Sequence, residues 1–175
     1  MMEKDCDICK WFSPGNEALV VFAGQHFTLF FPKVPMVYRE DGGHLILIPN
    51  QHRVDIRDFN VEETIEYMAF MRAASDVFYD LLPKMNIPVG RINYHDNGNF
   101  EADKACGAHQ HMHIYGRAKN AQKQKWKAPL VFPEWNPENP YFKESTHFDA
   151  SEKDTIRVFV EQSFPQHFKM LSSRL

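Results

Sequence analysis

Cysteine is scarce in this chain, with three among 175 residues. So small and odd a number cannot provide a disulfide framework, and a reducing, cytosolic compartment is the default expectation. Long apolar runs are missing too: no stretch approaches the ~20 residues that span a bilayer. The first residues, Met1 to Cys6, are charged and lead into no apolar signal core, so neither secretion nor a membrane partner is expected. Positive charge is not in excess either. Twenty Lys plus Arg stand against 23 Asp plus Glu, a formal charge of −3, which disfavours a bulk nucleic-acid binder but leaves room for a local basic patch. Internal repeats and low-complexity tracts are absent. What is present is an ordinary globular balance, 43% hydrophobic and 25% charged, in a chain of about one domain's length. It also holds nine histidines.

The pattern divides into a domain over 1–117 and an extension over 118–175. Two β-like runs, Ala18–Phe22 and His26–Phe31, flank the turn Ala23-Gly24-Gln25. After a Pro-interrupted loop, His44-Leu45-Ile46-Leu47-Ile48 reads as a buried strand between Gly42-Gly43 and Pro49. Asn60 and Glu63 form a capping-box signature. Behind it Tyr67, Phe70, Met71, Ala74, Val77, Phe78 and Leu81 predict one helix over 61–82, ending before Pro83. Strands at Arg91–His95 and Ala108–Tyr115 complete the order strands, helix, strands, which favours an α+β fold with an antiparallel sheet. The extension carries Pro129, Pro133, Pro137 and Pro140 among Trp126, Phe132, Trp135, Tyr141 and Phe142. Its aromatics predict that it packs on the domain or on a dimer partner, with a short helix capped by Ser151.

The chemistry concentrates in His109-Gln110-His111-Met112-His113-Ile114-Tyr115. On a strand, alternate residues share a face at roughly 6.5–7 Å spacing, so three imidazoles line one side. Two chemistries use such a row. Imidazole is a nucleophile towards phosphorus near neutral pH and leaves well once protonated. Alternatively, His-x-His supplies ligands to Zn²⁺, and a zinc hydrolase using His109, His111 and His113 as ligands is the competing enzyme class.

The row resembles the His-φ-His-φ-His-φ-φ signature of the histidine triad family of nucleotide hydrolases and transferases, with Gln110 the polar departure. Gly43-His44-Leu45-Ile46-Leu47-Ile48-Pro49-Asn50-Gln51-His52 is similar to that family's Gly-His-x-Leu-φ-Ile-Pro-x-x-His segment, and Cys6-Asp7-Ile8-Cys9 to the Cys-x-x-Cys of one branch. The resemblance covers about residues 5–117. It implies a five-stranded antiparallel sheet with a long helix, a homodimer with sheets side by side, and a nucleotide substrate cleaved at its α-phosphate, a phosphoanhydride or phosphoramidate. His111 is then the nucleophile that carries a covalent nucleotidyl group, His113 binds a phosphoryl oxygen, His44 supports the nucleophile's imidazole, and His109 completes the triad. In the Cys-x-x-Cys branch the residues matching Cys6, Cys9, His52 and His109 hold structural zinc; two free thiols or a redox pair are the other readings of the cysteines.

Departures from the family pattern fall on the substrate side. Where the family carries Gly-Gln-Ser/Thr-φ-x-His, this chain reads Lys104-Ala105-Cys106-Gly107-Ala108-His109, leaving Lys104 and Cys106 as substrate-binding candidates. The family's Asn-x-Gly becomes Asp96-Asn97-Gly98, so Asn97 or Asn93 takes the asparagine's place. The ribose-binding Asp has no counterpart in Phe30-Phe31-Pro32-Lys33; either Asp41 replaces it or the substrate is not a standard nucleoside. A non-catalytic nucleotide-binding module is the third reading. Arg117, Lys119, Lys123, Lys125 and Lys127 follow without an intervening acid, as a solvated face or as a polyphosphate or RNA contact.

Overall fold

A computed structural model describes residues 5–96 and 102–173. Five strands, β1 (Val20–Ala23), β2 (Phe27–Phe30), β3 (His44–Pro49), β4 (Val89–Asp96) and β5 (Met112–Ala118), form one antiparallel sheet in the order β1-β2-β3-β5-β4. The α+β expectation with an antiparallel five-stranded sheet and a long helix is what the chain adopts.

Residues paired across strands share a face, and the register sorts the sheet accordingly. Leu45 pairs with Ile114, and Leu29 with Leu47; this face lies under α1 (Val61–Asp76) and α3 (Ala150–Ser172) and builds the main core with Phe70, Phe78, Ile156 and Val160. The other face carries Phe30 beside Ile46, Ile46 beside His113, His113 beside His95, and His44 beside Tyr115. Ile8, Trp11 and Phe12 cover its Phe30–Ile46–Ile48 end. All six residues of β3 are therefore buried, as expected of a central strand covered on both sides.

Three sequence expectations change in the structure. The capping box of Asn60 and Glu63 is present at α1, but the helix gives way to a π turn at Val77–Leu81 and a 3₁₀ turn at Leu82–Met85. Pro83 sits at the start of that last turn, where its missing N–H costs little, so the chain winds past it until Asn86 reverses at φ 62°. The helix expected from Ser151 is not short: Asp149 caps it, Glu152 closes the capping box, and it runs 23 residues through Pro165. Packing decides the length, because Phe164 meets Phe22 and Phe70 at ring-centroid distances of 5.0 and 4.4 Å, offsetting the backbone bond that Pro165 cannot make. Finally, β5 starts at Met112 rather than Ala108. His109 to His111 leave the ladder, and the Gln110 N–H donates to the Arg53 carbonyl at 2.7 Å. Among the described residues no helix is long and apolar enough to cross a membrane.

Gly42 and Gly43 precede β3 with φ of 129° and 79°. A Cβ on Gly42 would fall 2.4 Å from the Gly116 carbonyl carbon, so only glycine lets the loop lie against β5 and deliver His44 to its place.

Candidate active site and metal centre

His44 on β3 and His113 on β5 face the same side, and His44 Nε2 lies 2.9 Å from His113 Nδ1. The tautomers follow from the partners. The Met36 N–H donates to His44 Nδ1 at 3.2 Å, so His44 carries its proton on Nε2 and donates it to His113 Nδ1. That leaves His113 with a proton on Nε2, directed away from His44 as a hydrogen-bond donor. Burial first, and then the neighbouring His113 and His111, hold His44 well below its ordinary value. Burial followed by His111 and His95 pushes His113 down to about 3. Both rings are neutral at pH 7.

His111 has a different partner. Its Nδ1 lies 2.8 Å from the His109 carbonyl oxygen, which can only accept. Nδ1 therefore holds the proton, and Nε2 keeps a free lone pair. The His111 and His113 rings stand 4.9 Å apart, nearly perpendicular. The expectation that His44 supports the His111 ring is thus corrected: His44 supports His113, and a backbone carbonyl holds His111. The reason is that residue 111 lies just outside the strand, where its own chain turns back on it.

His109 points elsewhere. Its Nδ1 is 3.4 Å from both Cys6 Sγ and Cys9 Sγ, and Cys9 Sγ is 3.6 Å from His52 Nδ1. The ligand atoms of Cys6, Cys9, His52 and His109 all lie within 4.8 Å of one another. Sulfur and nitrogen donors of a tetrahedral zinc site stand about 3.5 Å apart, from Zn–S near 2.3 Å and Zn–N near 2.0–2.1 Å, so spacing and donor type both fit. His109 Nε2, 3.3 Å from the Pro49 carbonyl, is the donor nitrogen there, which turns the Nδ1 lone pair towards the thiols. The three histidines of the row do not converge on one point, and among the described residues Cys6, Cys9, His52 and His109 form the group whose ligand atoms do. The reading of His109, His111 and His113 as joint metal ligands has no geometric support.

No family model matches the chain, and no curated protein matches it in sequence. Solved structures do. A hypothetical histidine triad nucleotide-binding protein from Sulfolobus tokodaii aligns over 92% of this chain and 93% of its own, with TM-score 0.53 and 15% identity. The fold is the histidine triad fold. A histidine triad protein from Bradyrhizobium japonicum (TM-score 0.52, 14% identity, covering 83% of this chain and 89% of that one) and a member of the HIT family of proteins from Bacillus subtilis (0.51, 19%, 91% and 96%) have it as well.

Within this histidine triad fold the substrate-side candidates scatter. Lys104 Nζ pairs with Asp7 at 2.6 Å; Asp7, drawn down to about 2 by Lys10 and then Lys104, ties the Cys6–Cys9 segment to the loop before the triad. The charge of Lys104 is already matched. The Cys106 thiol donates to the Gly107 carbonyl at 3.4 Å. Asn97 lies outside the described residues. Asn93 shares the triad face, and its Oδ1 accepts from Arg117 Nη1 at 3.1 Å. Asp41 is excluded from binding a ribose: it is buried, and its carboxylate accepts the backbone N–H groups of Gln122, Lys123 and Gln124 at 2.7, 2.8 and 2.6 Å.

The sequence reading treats Arg117 as the head of a basic run and overlooks Arg91 and His95. Strand alternation carries the signal: 113, 115 and 117 share one face of β5, and 91, 93 and 95 share that face of β4. Tyr115 sits between the two sets, stacked on His113 at 5.6 Å and edge-on to His95 at 5.2 Å.

The neutral relay predicts a pH dependence. Because His44 and His113 fall below the ordinary 6.5 in the folded state, the unfolded chain binds more protons once the pH drops below about 6.5. Their contribution is intact above that pH and is lost as pH falls towards about 3 for His113. Between pH 6 and 4, urea denaturation of wild type should lose stability by up to about 1.4 kcal/mol per pH unit for each group. His44→Gln should show the shallower slope of one group; an unchanged slope would show that His44 is not held neutral.

Proposed function

We propose that this protein is a nucleotidyl hydrolase or transferase that cleaves a phosphoanhydride or phosphoramidate at the α-phosphorus through a nucleotidyl-histidine intermediate on His111. One observation carries the reading: the 2.8 Å contact from His111 Nδ1 to the His109 carbonyl leaves the Nε2 lone pair free beside a neutral His113 donor. In the first step the Nε2 lone pair forms a P–N bond to the α-phosphorus. The bond to the leaving group breaks, and its electron pair departs with that group, a phosphate leaving as the anion and an amine taking a proton from solvent as it leaves. The His113 Nε2–H hydrogen-bonds a non-bridging phosphoryl oxygen, whose charge grows in the transition state, and His44 fixes the tautomer that makes this possible. A water or acceptor oxygen then attacks phosphorus, the P–N bond breaks, and Nε2 regains its pair as the water's proton passes to solvent. His111, His113 and His44 are the catalytic set; the His109 backbone positions His111.

Cys6, Cys9, His52 and the His109 ring would hold a structural zinc ion, which supplies a fixed point for the His109 carbonyl and no chemistry on the substrate. A homodimer belongs to the same reading, with β4 at the edge of the described sheet, and so does a cytoplasmic site of action. The decisive test is to quench a reaction with a nucleoside 5′-phosphoramidate within one turnover and map the adduct by mass spectrometry. A nucleoside monophosphate mass increment on His111 is expected. Turnover with no adduct on any histidine would remove the covalent mechanism.

A further inference from the structure

Two arginines face each other directly across β4 and β5, Arg91 opposite Arg117. Like charges paired this way repel. Arg117 is only 6% exposed, yet its partners are neutral: the Asn93 side chain at 3.1 Å and the Lys125 and Ala128 carbonyls at 3.0 and 2.7 Å. Its Nε is buried with no partner. Among the described residues neither arginine makes an ion pair, and the nearby Asp41 carboxylate is taken up by three amides. A buried guanidinium left in this state is costly unless an anion completes it.

Beside the pair lies an open cleft of about 500 Å³, walled on one side by Asn93, His95 and the two arginines and on the other by residues 126–130, with no carboxylate in its lining. Lys127 lines it too, in the left-handed region at φ 67°, a conformation that costs a non-glycine residue energy and recurs at ligand sites. Trp126 closes over Gly90, where a Cβ would come within 2.7 Å of its ring. The cleft also adjoins the triad, since His95 on its wall is the cross-strand partner of His113.

We infer that this cleft is an anion subsite that takes the phosphate chain of the leaving group, so that a nucleotide in phosphoanhydride linkage to further phosphates is the favoured substrate over one releasing an amine, which serves as a model substrate. The inference rests on the nucleotidyl reading for the word "leaving group", while the anion site itself does not. With Arg91, Arg117 and Lys127 holding it, a phosphate-terminated leaving group departs as a stable anion and needs no proton donor from the protein.

The test reads binding rather than turnover. Wild-type protein is titrated with inorganic tripolyphosphate by calorimetry and by tryptophan fluorescence. The same is done with Arg91→Ala/Lys127→Gly, whose two positions are exposed and whose glycine accepts the positive φ. Expected are micromolar binding by wild type, on the order of a tenfold or greater weakening in the variant, and steep loss with salt. No binding by wild type below millimolar concentration, or equal binding by the variant, overturns the anion site. A second arm adds a methylene-bridged dinucleoside polyphosphate. Displacement of tripolyphosphate by this analogue, but not by AMP, supports the leaving-group assignment. Failure to displace overturns that assignment, and with it the substrate class, whatever the outcome of the His111 adduct experiment.

Discussion

His111→Gly is expected to lower kcat on a fluorogenic nucleoside phosphoramidate by roughly 10⁴–10⁶-fold, the range seen when a covalent nucleophile is deleted. The size follows from the geometry. His111 Nε2 is the one lone pair of the histidine group left without an assigned proton or partner, whereas His44 and His113 are locked into a donor relay by the Met36 N–H. Neither can turn its ring to attack without breaking that chain of bonds. Glycine removes the nucleophile but leaves the His109 and His113 backbone where it is, so zinc content and circular dichroism should match wild type. Residual rate, from the His113 donor alone, should stay well above the uncatalysed one. Turnover within tenfold of wild type would sink the assignment.

Cys6→Ser/Cys9→Ser carries the other large effect. Both thiols are buried, at 0% and 4% exposure, and they fix the segment that covers Phe30, Ile46 and Ile48. Metal binding at a structural site is folding free energy. Loss of the ion therefore leaves two hydroxyls and two imidazoles crowded in an apolar setting. Expected are loss of one zinc equivalent per chain, read by elemental mass spectrometry, and a Tm lower by roughly 10 °C or more, at about 2–4 °C per kcal/mol for a chain of this size. Turnover should fall as well, through a higher KM and lower kcat together, because the His109 ring and the carbonyl that orients His111 belong to one residue. Zinc retained at full occupancy would show that the four residues are not its ligands.

The fold is largely legible in the sequence. The apolar run Leu45–Ile48 between Gly42-Gly43 and Pro49, the capping box at Asn60 and Glu63 and the helical spacing behind it are local signals, and local signals survive folding. Helix ends were less legible. Whether α3 stops at a proline depends on Phe164 finding Phe70 across the core, which no local pattern encodes. The site divides in the same way. The row 109-111-113 announces imidazole chemistry from spacing alone. Its division of labour does not, because His109 turns to Cys6 and Cys9 and His113 to His44, partners distant in sequence, while His111 turns to the His109 carbonyl only because the chain leaves the strand there.

The order of strand-like and helical segments, with the histidine row, was enough to determine an α+β chain with a concentrated imidazole site, and the scarcity of cysteine and the lack of a long apolar run only excluded other classes. The tertiary structure alone decided which nitrogen is free, that Asp41 caps a turn instead of facing a ribose, that Lys104 is matched by Asp7, and that Arg91 meets Arg117. Those are matters of which side chain is nearest in space once strands are in register, and a lone pair or a charge takes its meaning from that neighbour.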